Sequence, residues 1–241
     1  MRRALCLAAL LGLLSPAGHA ETACPDVAPP ALRLPVTQAA WTRHEPIVVV
    51  ALGSSSTAGA AATDPAHSYP AILQAELARL LPGAHVAVLN RGIGGEDATE
   101  QIARLGRDAI AARPHLVIWQ VGANGALRDA DPAAFRATVS AGVRRLHQAG
   151  IDVVLMDNQR APRILAKPNR LAIEAALVQA ARETGAGLFS RGALMDAWAQ
   201  AGTAPAELLA HDNLHHNNRG YRCIGETLAR GIAAAMSQTA K

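Results

Sequence analysis

Residues 53–59 read GSSSTAG and follow the apolar run IVVVAL. Three hydroxyls on a glycine-bounded turn are either helix caps or a nucleophile, because serine binds nearby amides readily and turns reactive only beside a base. An acid and an imidazole stand near the other end of the chain, in HDNLHHNNRGY, with Asp212 and His215 three residues apart. On a turn entering a helix, that step lets the carboxylate hold one ring nitrogen while the other faces a hydroxyl. Glycine amides in NRGIGG (90–95) and the side chain of Asn124 in GANG (122–125) supply N–H donors for a developing oxyanion. The chemistry open to such a set is nucleophilic acyl transfer through serine.

These clusters matter only if the chain folds them to one place. IVVVAL (47–52), HVAVLN (85–90), LVIWQV (116–121) and DVVLMD (152–157) are short, nearly continuous apolar runs, as expected of strands covered on both faces of a parallel sheet. GLFS (187–190) is a weaker fifth strand. Helical stretches are predicted over 69–81, 98–112, 132–149, 169–184 and 217–236, with Asp131-Pro132 as a start and Gly150 and Gly185 as stops. Alternation of the two implies right-handed crossovers in a three-layer α/β/α sandwich with a central parallel sheet. Ligands of such sheets bind outside the carboxyl ends of the strands, and the first three polar clusters each follow a strand. The chain has no G-x-x-x-x-G-K-[ST] segment, and NRGIGG follows the second strand instead of opening the first βα unit, which argues against a nucleotide site.

GSSST, NRGIGG, GAN and DNLH, in this order and each in its expected context, resemble the four sequence blocks of the SGNH (GDSL-type) esterase and lipase superfamily over residues 47–236. The resemblance implies a flavodoxin-like sandwich and ester hydrolysis through an acyl-serine, with no cofactor. It places the nucleophile on Ser55, the oxyanion donors on the Ser55 backbone, Gly95 and Asn124, and the acid and base on Asp212 and His215. Two positions depart from the family pattern: Ser54 stands where relatives carry aspartate, and Gly125 replaces a second aspartate. Neither is the family's triad acid, so the departures bear on the support of the nucleophile turn and on the substrate.

Other readings stay open at this stage. Ser54 and Ser56 are read as turn or cap residues, Thr57 as a hydrogen-bonding support, and Gly92 and Gly94 as sites of positive φ. His216 adjoins the base, while His67, His115 and His147 are read as surface or packing residues. His211 and His215, four apart, could share a metal ion on a helix and give a metal-dependent hydrolase. A non-catalytic binding protein on the SGNH fold is the third reading, motivated by Ser54. Asn158, Gln159 and Arg160 follow the fourth strand and are candidates for the pocket edge.

The 241 residues, half of them apolar, suffice for one domain over 47–241. Residues 1–20, MRRALCLAALLGLLSPAGHA, have the basic start, apolar stretch and small-residue end of a secretory signal peptide, which predicts a periplasmic or extracellular protein. The apolar stretch is short of the roughly 20 residues that span a bilayer, so no stable membrane insertion is expected. Residues 21–46 are read as an extended arm. With the leader removed, Cys24 and Cys223 are left and could pair in an oxidising compartment. The formal charge is only +4, two of the 23 basic residues lie in the leader, and no dense basic cluster remains, which disfavours nucleic acid. The expected partner is a small-molecule or carbohydrate ester.

Overall fold

The computed structural model describes residues 23–237, so the leader read over 1–20 lies outside the described residues. Five strands, β1 (Ile47–Gly53), β2 (Val86–Gly92), β3 (Leu116–Gln120), β4 (Asp152–Met156) and β5 (Gly187–Phe189), form one sheet in the order β2-β1-β3-β4-β5, parallel throughout. The helices are α1 (Pro35–Thr42), α2 (Ser55–Ala58), α3 (Tyr69–Leu80), α4 (Ala98–Ala103), α5 (Leu105–Asp108), α6 (Ala123–Leu127), α7 (Pro132–Gln148), α8 (Pro162–Leu165), α9 (Arg170–Thr184), α10 (Arg191–Gln200) and α11 (Asn218–Ser237). This is the flavodoxin-like strand order, and the expected α/β/α sandwich is observed.

The continuous apolar runs have a direct cause. Val49 and Ala51, Leu116 and Ile118, and Val154 and Met156 point into one core, shared with α3 and α11. Their neighbours Val50 and Leu52, Val117 and Trp119, and Val153 and Leu155 point into the other, shared with α7 and α9. Period-2 alternation is present, but both faces are covered, so both sets are apolar.

Helix ends follow the local signals. The Asp131 carboxylate accepts from the Ala134 amide with Pro132 in the first turn, and α9 stops at Gly185, whose φ is 77°. The single helix expected over 98–112 is divided into α4, α5 and a 3-10 turn, Ile110–Ala112. The first break falls at Arg104, whose guanidinium is drawn inward as described below. Helix α10 had no distinct sequence signal.

The segment read as an extended arm is only partly so. Residues 23–34 lack regular structure, but Pro35 opens α1, and Leu32, Leu34 and Ala40 are buried in the first core. Thr37 fastens it to the sheet, its N–H and its hydroxyl both donating to Asp152 Oδ2 at 2.8 Å. Cys24 and Cys223 form a disulfide, Cα to Cα 5.3 Å, that joins the arm to α11. Constraining the unfolded chain over so long a loop stabilises the fold by about 2–5 kcal/mol. Among the described residues no helix is long and apolar enough to cross a membrane.

Candidate active site

β1 and β3 are neighbours while β2 and β4 lie on either side, so the connections leaving β1 and β3 diverge and open a crevice at their carboxyl ends. Helix α2, one turn long, begins there at Ser55 and ends at Gly59 in the left-handed conformation, φ 92°. The 209–216 segment arrives from the opposite end of the chain, held as a turn by an Ala210 N–H to His215 carbonyl bond of 2.9 Å. It brings His215 Nε2 to 2.8 Å from Ser55 Oγ. Asp212 Oδ2 lies 2.5 Å from His215 Nδ1, and Asp212 Oδ1 accepts from the amides of Leu214 and His215 at 3.0 and 2.9 Å.

One carboxylate thus shapes the turn and orients the ring. Partial burial pushes the Asp212 carboxyl up, but the His215 ring and the two amides outweigh it, and the group titrates below the usual carboxylate range. An ionised Asp212 assigns the proton to Nδ1, leaving the Nε2 lone pair to accept from the Ser55 hydroxyl.

The loop after β2 passes over the serine: a Cβ on Gly94 would lie 4.0 Å from Ser55 Cβ. Gly95 has φ 84°, a left-handed conformation that glycine adopts without strain. Gly92 and Gly94 do not share it, contrary to the sequence expectation. Gly92 serves close approach instead, since a Cβ there would sit 2.1 Å from the Ala58 nitrogen. Asn124 Nδ2 donates to the Glu96 carbonyl at 2.8 Å, which uses one of its two N–H groups. Arg128, also following β3, donates to the Gly95 carbonyl at 2.6 Å. Arg104 ties this loop to the 53–57 turn: its Nε donates to Glu96 Oε2 at 2.7 Å and its Nη2 to the Gly53 carbonyl at 3.1 Å. Asn124 and Arg128 are thus tied to the loop that carries Gly95, and Arg104 joins that loop to residue 53, next to Ser54 and Ser55; Arg104 and Arg128 were not singled out from the sequence.

The remaining candidates sort by burial. Ser54, Ser56 and Thr57 are buried beneath the turn, and the Thr57 hydroxyl bonds to Gln120 and Tyr69. Asn158 and Gln159, read as pocket-edge residues, are each 1 % exposed and lie inside the protein; Arg160 lines a cavity of about 460 Å³ between α8 and residues 205–213. The metal reading needed His211 and His215 on one helix. Residues 211–215 are a turn, both ring nitrogens of His215 are engaged by Ser55 and Asp212, and no metal-type cluster of three or more side chains occurs among the described residues.

His216 points away from its neighbour's task. It is fully buried, and its Nδ1 bonds to the Leu208 carbonyl at 3.1 Å. Burial, helped by Arg191, lowers it from 6.5 to about 3. Beneath it lies a buried group that sequence reasoning missed: Arg191 Nε donates to the Asp157 carbonyl at 2.7 Å, and burial raises the Asp157 carboxyl to about 6 against the Ser190 and Gly192 hydrogen bonds and Arg191. The native state refuses a proton at His216 that the unfolded chain accepts below 6.5, so this contribution is complete above 6.5 and is lost as pH falls toward 3. Asp157 acts with the opposite sign between 3.8 and about 6. Comparing urea midpoints of wild type and His216→Asn cancels that term: across the His216 window the wild type should lose stability more steeply, by about 1.4 kcal/mol per pH unit. Parallel pH dependences would count against the assignment.

A serine hydrogen-bonded to a histidine that an aspartate holds, at the switch point of a 2-1-3-4-5 sheet, is the arrangement of the SGNH-type hydrolases. The chain belongs to the Non-GDSL lipase-like family, whose model matches residues 22–238. No curated protein matches it significantly. Among solved structures it resembles a two-domain esterase active on acetylated mannans (TM-score 0.72, 20 % identity, 86 % of this chain and 55 % of that one). The chain thus spans about half of that relative. It also resembles the lipase/acylhydrolase from Enterococcus faecalis (0.67, 21 %, 78 % and 96 %) and a variant of an acetyl-xylooligosaccharide esterase from Geobacillus stearmophilus (0.64, 21 %, 80 % and 95 %).

Proposed function

We propose that the protein is an exported serine esterase that hydrolyses short acyl esters, in particular acetyl groups carried on carbohydrate. The observation that carries the reading is the unbroken hydrogen-bond chain from Ser55 through His215 to Asp212. His215 takes the Ser55 proton as Oγ attacks the ester carbonyl, and Asp212 stabilises the imidazolium. The Ser55 and Gly95 amides and the second Asn124 N–H hold the oxyanion. His215 then protonates the departing alcohol, and water, deprotonated by the same ring, releases the acid and restores Ser55. The carbohydrate preference is supported by the structural neighbours active on acetylated mannans and xylooligosaccharides. Export is supported by the 1–20 segment and by the Cys24–Cys223 disulfide, a bond of oxidising compartments.

A panel of nitrophenyl esters of increasing acyl length, with acetylated manno- and xylo-oligosaccharides, tests the reading. Turnover should be highest for acetyl, insensitive to EDTA, and stopped by an organophosphonate that adds its mass to the Ser55 peptide. Loss of activity to EDTA with no adduct at Ser55 would overturn it.

A further inference from the structure

A single atom of a residue outside the four sequence blocks gathers three donors of the turn around Ser55. Gln120, the last residue of β3, is 1 % exposed, and its Oε1 accepts from the Ser54 N–H at 2.9 Å, the Ser54 hydroxyl at 3.0 Å and the Thr57 hydroxyl at 3.2 Å. Its Nε2 is buried and has no hydrogen-bond partner among the described residues. A backbone N–H can only donate, so the Ser54 amide fixes which way round the Gln120 amide sits. Gly53 leaves the room for this contact: a Cβ there would lie 2.2 Å from Thr57 Oγ1 and 2.9 Å from Gln120 Oε1. Donors from both sides of Ser55 therefore converge on one oxygen.

We propose that Gln120 is a positioning residue for the nucleophile, its side-chain oxygen setting the turn that aims Ser55 Oγ at His215, and that Ser54 is matched to it as a donor. The proposal rests on the reading of Ser55 as nucleophile. It accounts for a serine at the position where the GDSL pattern has aspartate. An ionised aspartate at 54 has acceptors only and would face the acceptor Oε1; turning the amide over would leave the backbone N–H of residue 54 without its acceptor.

The test compares Gln120→Leu, Gln120→Glu and Ser54→Asp with the wild type, measuring kcat and KM on a short acyl ester, the rate of phosphonate labelling at Ser55, and the thermal midpoint. Loss of positioning should lower kcat and the labelling rate together by about 10²-fold in Gln120→Leu, with KM unchanged. Gln120→Glu should recover most of both rates, because it keeps the acceptor and alters only the atom that has no partner. Ser54→Asp should fall toward the leucine variant. If Gln120→Leu does not fold, the other two decide. Wild-type rates in Gln120→Leu, or a glutamate variant no better than the leucine one, overturn the positioning role; wild-type or higher kcat in Ser54→Asp overturns the matching. A wild-type protein that takes no phosphonate at Ser55 overturns the nucleophile reading, and the proposal with it, and is seen before any variant is made.

Discussion

Ser55→Ala is expected to fold as the wild type does and to lose ester hydrolysis by on the order of 10⁶ in kcat, the scale seen when a serine nucleophile is removed from an assembled triad. Among the described residues the hydroxyl bonds only to His215, whereas α2 is held by backbone bonds such as Gly59 N–H to the Ser55 carbonyl at 3.0 Å, which alanine keeps. Stability should therefore change little while chemistry fails. The residual rate should come from the oxyanion donors acting on attack by water. Replacing His215 as well should cost almost nothing more, since the two side chains act as one unit. Active-site titration beside a thermal melt checks this; a Ser55→Ala protein retaining more than a few per cent of turnover would remove Ser55 from the mechanism.

Asp212→Asn should be the next most damaging change, about 10⁴-fold in kcat with KM nearly unchanged. Its expected cause is specific. The Asp212 Oδ1 bonds to the Leu214 and His215 amides survive in asparagine, so the turn keeps its shape. The atom facing His215 Nδ1 becomes an N–H donor, Nδ1 must accept, and the imidazole proton moves to Nε2. That nitrogen then points a proton at Ser55 Oγ and cannot take one away. Steady-state kinetics with an unchanged far-UV spectrum is the check; a loss under tenfold would show that Asp212 serves the turn and not the ring.

Much of this architecture was legible in the sequence because its signals are local. The runs at β1, β3 and β4 are apolar on both parities, and the Asp212 to His215 step needs only one turn. What escaped was set by contacts distant along the chain. Gln120, Arg104, Asp157 and Arg191 are single polar residues at strand ends or helix starts, where no periodicity marks them. Their meaning comes from partners that the fold delivers: the Ser54 amide for Gln120, Gly53 and Glu96 for Arg104. The same holds for the division of the 98–112 helix, since its apolar spacing runs on while Arg104 turns inward. His216 was set apart from His215 by the three-residue step alone; its burial became visible only once α11 was docked.

The way the two ends of the chain meet also couples the site to the docking of the last helix. The core beneath α7 and α9 draws its buried members from Val50 to Ala181. The opposite core joins Leu32 and Leu34 to Ile224, Leu228 and Ile232, nearly the whole chain away. Such distant contacts carry a larger loop-closure entropy than the nearer ones of the other core. Asp212 and His215 immediately precede α11, so they reach Ser55 as that helix seats. A chain whose last helix is undocked would lack the His215 contact and carry an ordinary alcohol at residue 55.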